Sequence, residues 1–211
     1  MNCAIFDMDG LLVDTEILYV YAFKEVCEIM GDEYDEELFK TCIGTTKKTQ
    51  EGILKKHFGD DYDFERSNML TNSVIDRYTD EGNLFLKKGV EEILQMFKSK
   101  GFKLAVASSN SSQKVFRALD ITGIKHYFDE ILTGDMVTNG KPDPEIFLKA
   151  CKKLGSTPSK SYVFEDSFNG VRAGFAGGFY TVMVPDLIPP DDEMIQKSNE
   201  IIKSLSDFSI K

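Results

Sequence analysis

The chain is 211 residues long, 42 % hydrophobic and 28 % charged, a balance that excludes both a disordered and a membrane-embedded protein. Its 35 Asp plus Glu against 25 Lys plus Arg give a formal net charge of −10, which argues against a nucleic-acid polymer or an anionic membrane as partner. The 4 cysteines form no CxxC pair and there are only 2 histidines, so neither a disulfide-dense scaffold nor a Cys/His zinc cluster is expected. Without a basic leader or an apolar run near the ~18 residues of a membrane span, the expectation is a soluble, cytoplasmic monomer.

In chain order, Cys3-Ala4-Ile5-Phe6 reads as a short buried strand ended by Asp7. A helix follows with Leu18, Ala22, Val26 and Ile29 on its apolar face and a stop at Gly31. Further helical patterns run through Ile53, Leu54 and Phe58, then Met69, Leu70, Val74 and Tyr78, and no strand is predicted between Thr15 and about Asn83. From Leu84 strands alternate with helices. A helix carries Val90, Ile93, Leu94 and Phe97, and strands are predicted at 103–107, 128–132, 162–164 and 180–184. Between them lie helices with Val115, Phe116 and Leu119, with Ile146, Phe147, Ala150 and Leu154 (started by Asp143-Pro144), and over about 168–176. Short apolar strands separated by helices predict a doubly wound parallel α/β sheet, here interrupted by an all-helical insert. The expected division is a core of 1–15 and 84–211 and an insert of 16–83. Phe168, Phe175 and Phe179 read as core, and Gly170, Gly174, Gly177 and Gly178 as sites of close helix–sheet packing. Pro185 to Asp192 reads as a surface loop.

Ligands of such a sheet bind beyond the carboxyl ends of its strands. The first strand is followed there by Asp7 and Asp9, the second by Ser108, Ser109 and Asn110, and the fourth by Glu165 and Asp166; Lys141 precedes the helix after the third. Asp7 and Asp9 fall on one side if the chain stays extended past the strand. Unit charges ~4 Å apart repel by ~4 kcal/mol at an effective dielectric of 20, so four gathered carboxylates call for a cation or for protonation. Oxygen ligands without His or Cys select a hard ion, and Mg²⁺ is commonly held by a few carboxylates plus a substrate phosphate. Lys141 reads as a counter-charge for such a phosphate. Ser108 reads as a cap of the following helix or as a phosphate contact, and the two are compatible because that helix N-terminus offers free amides to an anion. Other chemistries fail on spacing: Gly134 to Lys141 has Pro142 where a P-loop needs Ser or Thr, and Cys42 meets Lys48 where a cysteine-dependent phosphatase needs Arg.

The run Asp7-Met8-Asp9-Gly10-Leu11-Leu12-Val13-Asp14-Thr15-Glu16 resembles the first signature of the haloacid-dehalogenase-like hydrolase superfamily. Ser108, Lys141 in Gly140-Lys141-Pro142-Asp143-Pro144, and Glu165-Asp166 fall where its later motifs belong. The insert is similar, by length, position and helicity, to the C1 cap of the subgroup containing beta-phosphoglucomutase and many sugar-phosphate phosphatases. The resemblance implies a phosphatase for a small phosphorylated metabolite. Asp7 would be the nucleophile and Asp9 the general acid and base. Ser108, Ser109, Asn110 and Lys141 would bind the phosphate. Mg²⁺ would be held by Asp7, the Asp9 carbonyl and Asp166, with Glu165 acting directly or through water. An Asp at position 9 implies an oxygen leaving group. Tyr19, Gly44 and Lys47 would face the substrate from the cap. Where the mutase pattern has a His and an Arg in its cap, this chain has Tyr19 and the run Gly44-Thr45-Thr46-Lys47, which favours a phosphatase over a mutase. A phospho-accepting, receiver-like signalling module is the alternative from another class.

Overall fold

In a computed structural model that describes residues 2–43 and 45–210, the run Cys3–Phe6 forms strand β1, every residue of it buried. The chain divides into two compact units, one of residues up to Asp14 and from Phe85 onward, the other of Thr15–Leu84.

The Thr15–Leu84 unit holds helices α1 (Glu16–Met30), α2 (Glu36–Cys42), α3 (Lys47–Phe58) and α4 (Phe64–Asp80). Small polar residues start three of them: Asp35 accepts from Glu37 N and Leu38 N, Thr46 from Thr49 N, and Asp63 from Arg66 N. The acidic stretch around Asp35 thus begins a helix. Ala22 and Val26 of α1 pack on Val74 of α4, while Leu38, Cys42, Leu54, Tyr62 and Phe64 form a second cluster. Ile29, expected on the apolar face of α1, is instead 46 % exposed. It lies seven residues after Ala22 and within about 20° of it around the helix, so its exposure goes with its place in the last turn of α1 and not with a change of face.

The other unit contains α5 (Val90–Ser99), β2 (Lys103–Ala107), α6 (Ser112–Ile121), β3 (Glu130–Leu132), α7 (Glu145–Lys153), β4 (Ser161–Glu165), α8 (Phe168–Ala176), β5 (Tyr180–Met183), α9 (Asp192–Lys197) and β6 (Glu200–Ile201). The strands form one sheet in the order β3-β2-β1-β4-β5-β6, each pair parallel. Strand residues alternate between two buried faces. Cys3 and Ile5 join Ala105, Val163, Phe147 and Ala150 beneath α7 and α8. Phe6 points the other way, stacking on Phe164 at 4.7 Å between ring centres and meeting Phe97 of α5 edge-on at 6.0 Å.

Some expectations are corrected. The third strand starts at Glu130 rather than Phe128, because a 3₁₀ turn over Lys125–Tyr127 precedes it. Strand β6 was not expected, since two half-buried residues give no periodic signal. Phe175 is 53 % exposed and lies under Lys197 rather than in the core. The other two aromatic expectations stand: Phe179 is buried and Phe168 packs on the Val171–Met183–Met194 cluster. Gly178 has open space beside it and a φ of 75°, so it ends a helix rather than permitting close packing. A Cβ at Gly174 would stand 2.6 Å from Thr181 Oγ1, and one at Gly177 2.6 Å from Phe179, so those two do serve packing. All four cysteines are buried and free. Among the described residues no helix is long and apolar enough to cross a membrane.

Candidate active site

Parallel register sets the site. Phe6, the last residue of β1, lies opposite Val106 of β2 and Phe164 of β4, so Asp7, Ala107-Ser108 and Glu165-Asp166 emerge at one level. This is also where the strand order reverses around β1, the place where an open α/β sheet leaves a crevice. Asp7 N donates to Phe164 O at 3.0 Å, which fixes the first residue beyond the strand.

The chain does not stay extended after Asp7. Leu12 N and Val13 N both donate to Met8 O, and Gly10 N to Val13 O, closing a tight loop in which Gly10 takes a φ of 73°. The expectation that Asp7 and Asp9 project to one side by strand periodicity is therefore corrected. Asp9 turns toward the second strand, where its Oδ2 accepts from Asn110 Nδ2 at 2.8 Å and from Ser108 Oγ at 3.3 Å. Oxygens of Asp7, Glu165 and Asp166 lie within 4.8 Å of one another; Asp9's carboxylate is not part of that trio.

Lys141 is threaded between these carboxylates with only 5 % of its side chain exposed. Its ammonium donates to Asp7 Oδ1, to Glu165 Oε1 at 2.6 Å and to Ala107 O at 2.9 Å, using all three protons. Lys141 is thus first the counter-charge of the carboxylates. Burial alone would lower its pKa, but Asp7 and Glu165 hold it above the usual range. Glu165 is fully buried, and its other oxygen accepts from Ser167 N at 3.1 Å and Ser167 Oγ at 2.9 Å. Burial, with Glu165 and Asp9 adding to it against the pull of Lys141, pushes Asp7 up to about 7. Burial and the neighbouring Glu165 and Asp7 likewise raise Asp166 well above the carboxylate range. Three carboxylates share one ammonium, and the site is short of positive charge.

Ser108 does not cap α6. Its hydroxyl accepts from Asn110 N at 3.1 Å, and the first residue of α6 is instead served from across the sheet edge, Ser112 N donating to Asp135 Oδ2 at 3.2 Å. Gly134 makes that approach possible, since a Cβ there would collide with the Ser109 carbonyl. Ser109 itself is exposed. Tyr19, 43 % exposed on α1, and Lys47, exposed at the start of α3, belong to the helical unit, and Gly44 lies outside the described residues.

Two contributors escaped the sequence reading. Glu145 accepts from Thr138 N and Asn139 N at 3.0 and 2.9 Å, ordering the loop that delivers Lys141. Ser167 holds Glu165 and also caps α8 by accepting from Gly170 N at 3.1 Å. Each directly follows a motif already singled out, but nothing in their type marked them as supports. A Cβ on Gly170 would overlap the Glu165 carboxylate. Gly170→Ala is therefore expected to destabilise the fold by about 1–3 kcal/mol, read by thermal unfolding, and to cut activity by displacing Glu165 and with it Lys141.

A family model described as haloacid dehalogenase-like hydrolase matches residues 4–184. The chain belongs to that family. The haloacid dehalogenase-like chain is 38 % identical over 183 residues to the phosphorylated carbohydrates phosphatase of Thermotoga maritima, covering 84 % of this chain and 82 % of the relative. Among solved structures, it is similar to one from Thermotoga maritima provisionally named a beta-phosphoglucomutase, with TM-score 0.84, 32 % identity, and coverage of 98 % of this chain and 96 % of the other. It is also similar to CbbY from Rhodobacter sphaeroides in complex with phosphate, with TM-score 0.78, 26 % identity and the same coverages.

Proposed function

We propose that this haloacid dehalogenase-like hydrolase is a Mg²⁺-dependent phosphatase that cleaves a small phosphomonoester, a sugar phosphate or a similar metabolite, by way of a phosphoaspartate on Asp7. One observation carries the reading: a buried carboxylate, Asp7, stands beside a fully engaged ammonium and two more carboxylates, with the Asp9–Ser108–Asn110 group at the same strand edge. The relative that acts on phosphorylated carbohydrates supports the substrate class.

The donor set suits a hard divalent cation, because it is all oxygen, carries an excess of negative charge, and has two carboxyls whose pKa values are raised by burial and by the neighbouring carboxylates. Asp7 and Asp166, with the Asp9 carbonyl, would hold Mg²⁺, and Glu165 would keep Lys141 in place. When bound, the ion supplies positive charge next to the phosphoryl oxygens. An Asp7 oxygen attacks phosphorus as the bond to the ester oxygen breaks, and Asp9 gives that departing oxygen a proton. Asp9 then takes a proton from the water that attacks the phosphoaspartate, which releases phosphate and restores Asp7. Ser108, the amides around Ser109 and Asn110, and Lys141 bind the non-bridging oxygens, Lys141 by giving up one of the three acceptors it holds without substrate. We assign the Thr15–Leu84 unit the role of a cap, with Tyr19, Gly44 and Lys47 as its substrate-facing residues.

A phosphate-release screen over sugar phosphates, nucleotides and phosphoglycolate, with Mg²⁺ and with chelator, tests the reading. Multiple turnovers on a sugar phosphate that stop with chelator are expected. No release from any ester in Mg²⁺ refutes it, and a single uptake of phosphoryl without turnover points to a receiver. The provisional beta-phosphoglucomutase name of one structural neighbour favours a mutase as second reading. Isomerisation of a sugar phosphate primed with a bisphosphate, without phosphate release, would establish that reading instead. Replacing Asp9 with Asn is expected to slow alkyl phosphates by about 10²–10⁴-fold and p-nitrophenyl phosphate far less, since only a poor leaving group needs the proton. Equal losses on both would remove Asp9 from the role of acid.

A further inference from the structure

Asp186 lies three residues beyond β5, on a segment anchored to the site by Val184 N donating to Glu165 O at 2.8 Å. Its side chain is 14 % exposed, and its Oδ1 accepts from Lys87 Nζ at 2.6 Å. The other oxygen, Oδ2, is buried and has no hydrogen-bond partner among the described residues. A buried carboxylate oxygen left bare is costly, so this one calls for a donor. Its direction identifies where the donor would be. A Cβ built on Gly10 would stand 3.3 Å from Asp186 Oδ2 and would collide with Asp166 Oδ2, so both carboxylates approach the same side of Gly10. Asp186 is therefore turned toward the acidic edge rather than to solvent.

Lys87 meets only one of the two oxygens. Its backbone N donates to Leu12 O at 3.0 Å, which fixes where its side chain starts, and its ammonium is shared with Asp14 Oδ1 at 3.9 Å. A hard cation held by few carboxylates keeps several of its waters, and these are strong donors. We propose that Asp186 is a positioning residue of this site: one oxygen anchors it to Lys87, and the other accepts from a water of the Mg²⁺ held at Asp7 and Asp166. It touches no reacting atom. The inference rests on the Mg²⁺ reading above.

Calorimetric titration of the full chain with MgCl₂ separates the two. Uptake by the wild type tests the metal reading, and a wild type that takes up no Mg²⁺ ends that reading and this inference together. Given uptake, Asp186→Asn and Lys87→Met break the same ion pair, but only Asp186→Asn removes the second acceptor. Asp186→Asn is expected to weaken Mg²⁺ binding by about 10–100-fold, with turnover recovering at saturating Mg²⁺. Lys87→Met is expected to leave affinity unchanged or tighter, because it removes a positive charge near the ion. Unchanged affinity in Asp186→Asn, or equal weakening in both variants, would overturn the proposal and leave the pair a structural one. Thermal unfolding of the chelated variants confirms that each folds.

Discussion

Asp7→Asn is expected to lower phosphate release by at least about 10⁴-fold while the protein remains folded. The substitution keeps the shape of a side chain packed at the end of β1, and the amide oxygen can still accept from Lys141, which retains Glu165 and Ala107 O as well. What is lost is the anionic oxygen that would bond to phosphorus. The residual activity should match that of Asp7→Ala, since neither variant would retain the proposed nucleophile, and should exceed water only by what positioning and charge contribute. Acid-quenched wild type incubated with substrate should carry a phosphoryl group on the peptide containing Asp7, as read by mass spectrometry. An Asp7→Asn protein with near wild-type turnover, or a phosphoryl group on another residue, removes Asp7 as nucleophile.

The elements that place Asp7 were legible because they obey simple periodicities. Cys3–Phe6, Leu104–Ala107 and Tyr162–Phe164 are unbroken apolar runs, and unbroken runs are what a strand with helices on both faces requires. Once the sheet is parallel, residues just past each run must share an edge, so the sequence alone brings Asp7, Ser108 and Glu165-Asp166 together. Their pairings were less accessible. Whether Asp9 joins the carboxylates or turns to Asn110 depends on the loop closed at Met8 O, which no period describes. The cap of α6 comes from Asp135, 23 residues away, so of the two roles open to Ser108 the local cap is the one the chain does not use. Asp186 escaped for the same reason, since Lys87 is 99 residues before it. Exposure of Ile29 and Phe175 shows the converse limit: an apolar residue within a helix was taken to face inward, although surface apolar residues are ordinary.

Without metal, the stability of this protein is expected to rise with pH through one window and fall through the next. Glu145 and Glu193 are both lowered to about 2, Glu145 chiefly by Lys149 and Glu193 by Arg172. A depressed carboxyl stabilises the fold above its unfolded pKa and loses that contribution as pH falls, so stability should climb between about pH 2 and pH 4.5. Asp7 has the opposite sign. With its pKa moved from 3.8 to about 7, the folded state keeps a proton that the unfolded chain releases, and stability falls as pH rises from 3.8 to about 7. Asp166 is raised as well and adds to the same decline. For a side chain as buried as Asp7 the loss is on the order of a few kcal/mol, or several degrees in Tm for a domain of this size. On the proposed reading Mg²⁺ would compete with those protons for the same oxygens, so it should raise Tm strongly at pH 8 and little at pH 5. Asp166→Asn removes one of three crowded charges, and should raise Tm in chelator at pH 8 while abolishing the response to Mg²⁺ and the turnover together. Scanning calorimetry from pH 3 to 8, with Mg²⁺ and with chelator, decides the matter. A Tm in chelator that is level or rising from pH 5 to 8, or an Asp166→Asn protein less stable than wild type there, would show that the acidic edge is not held under electrostatic stress.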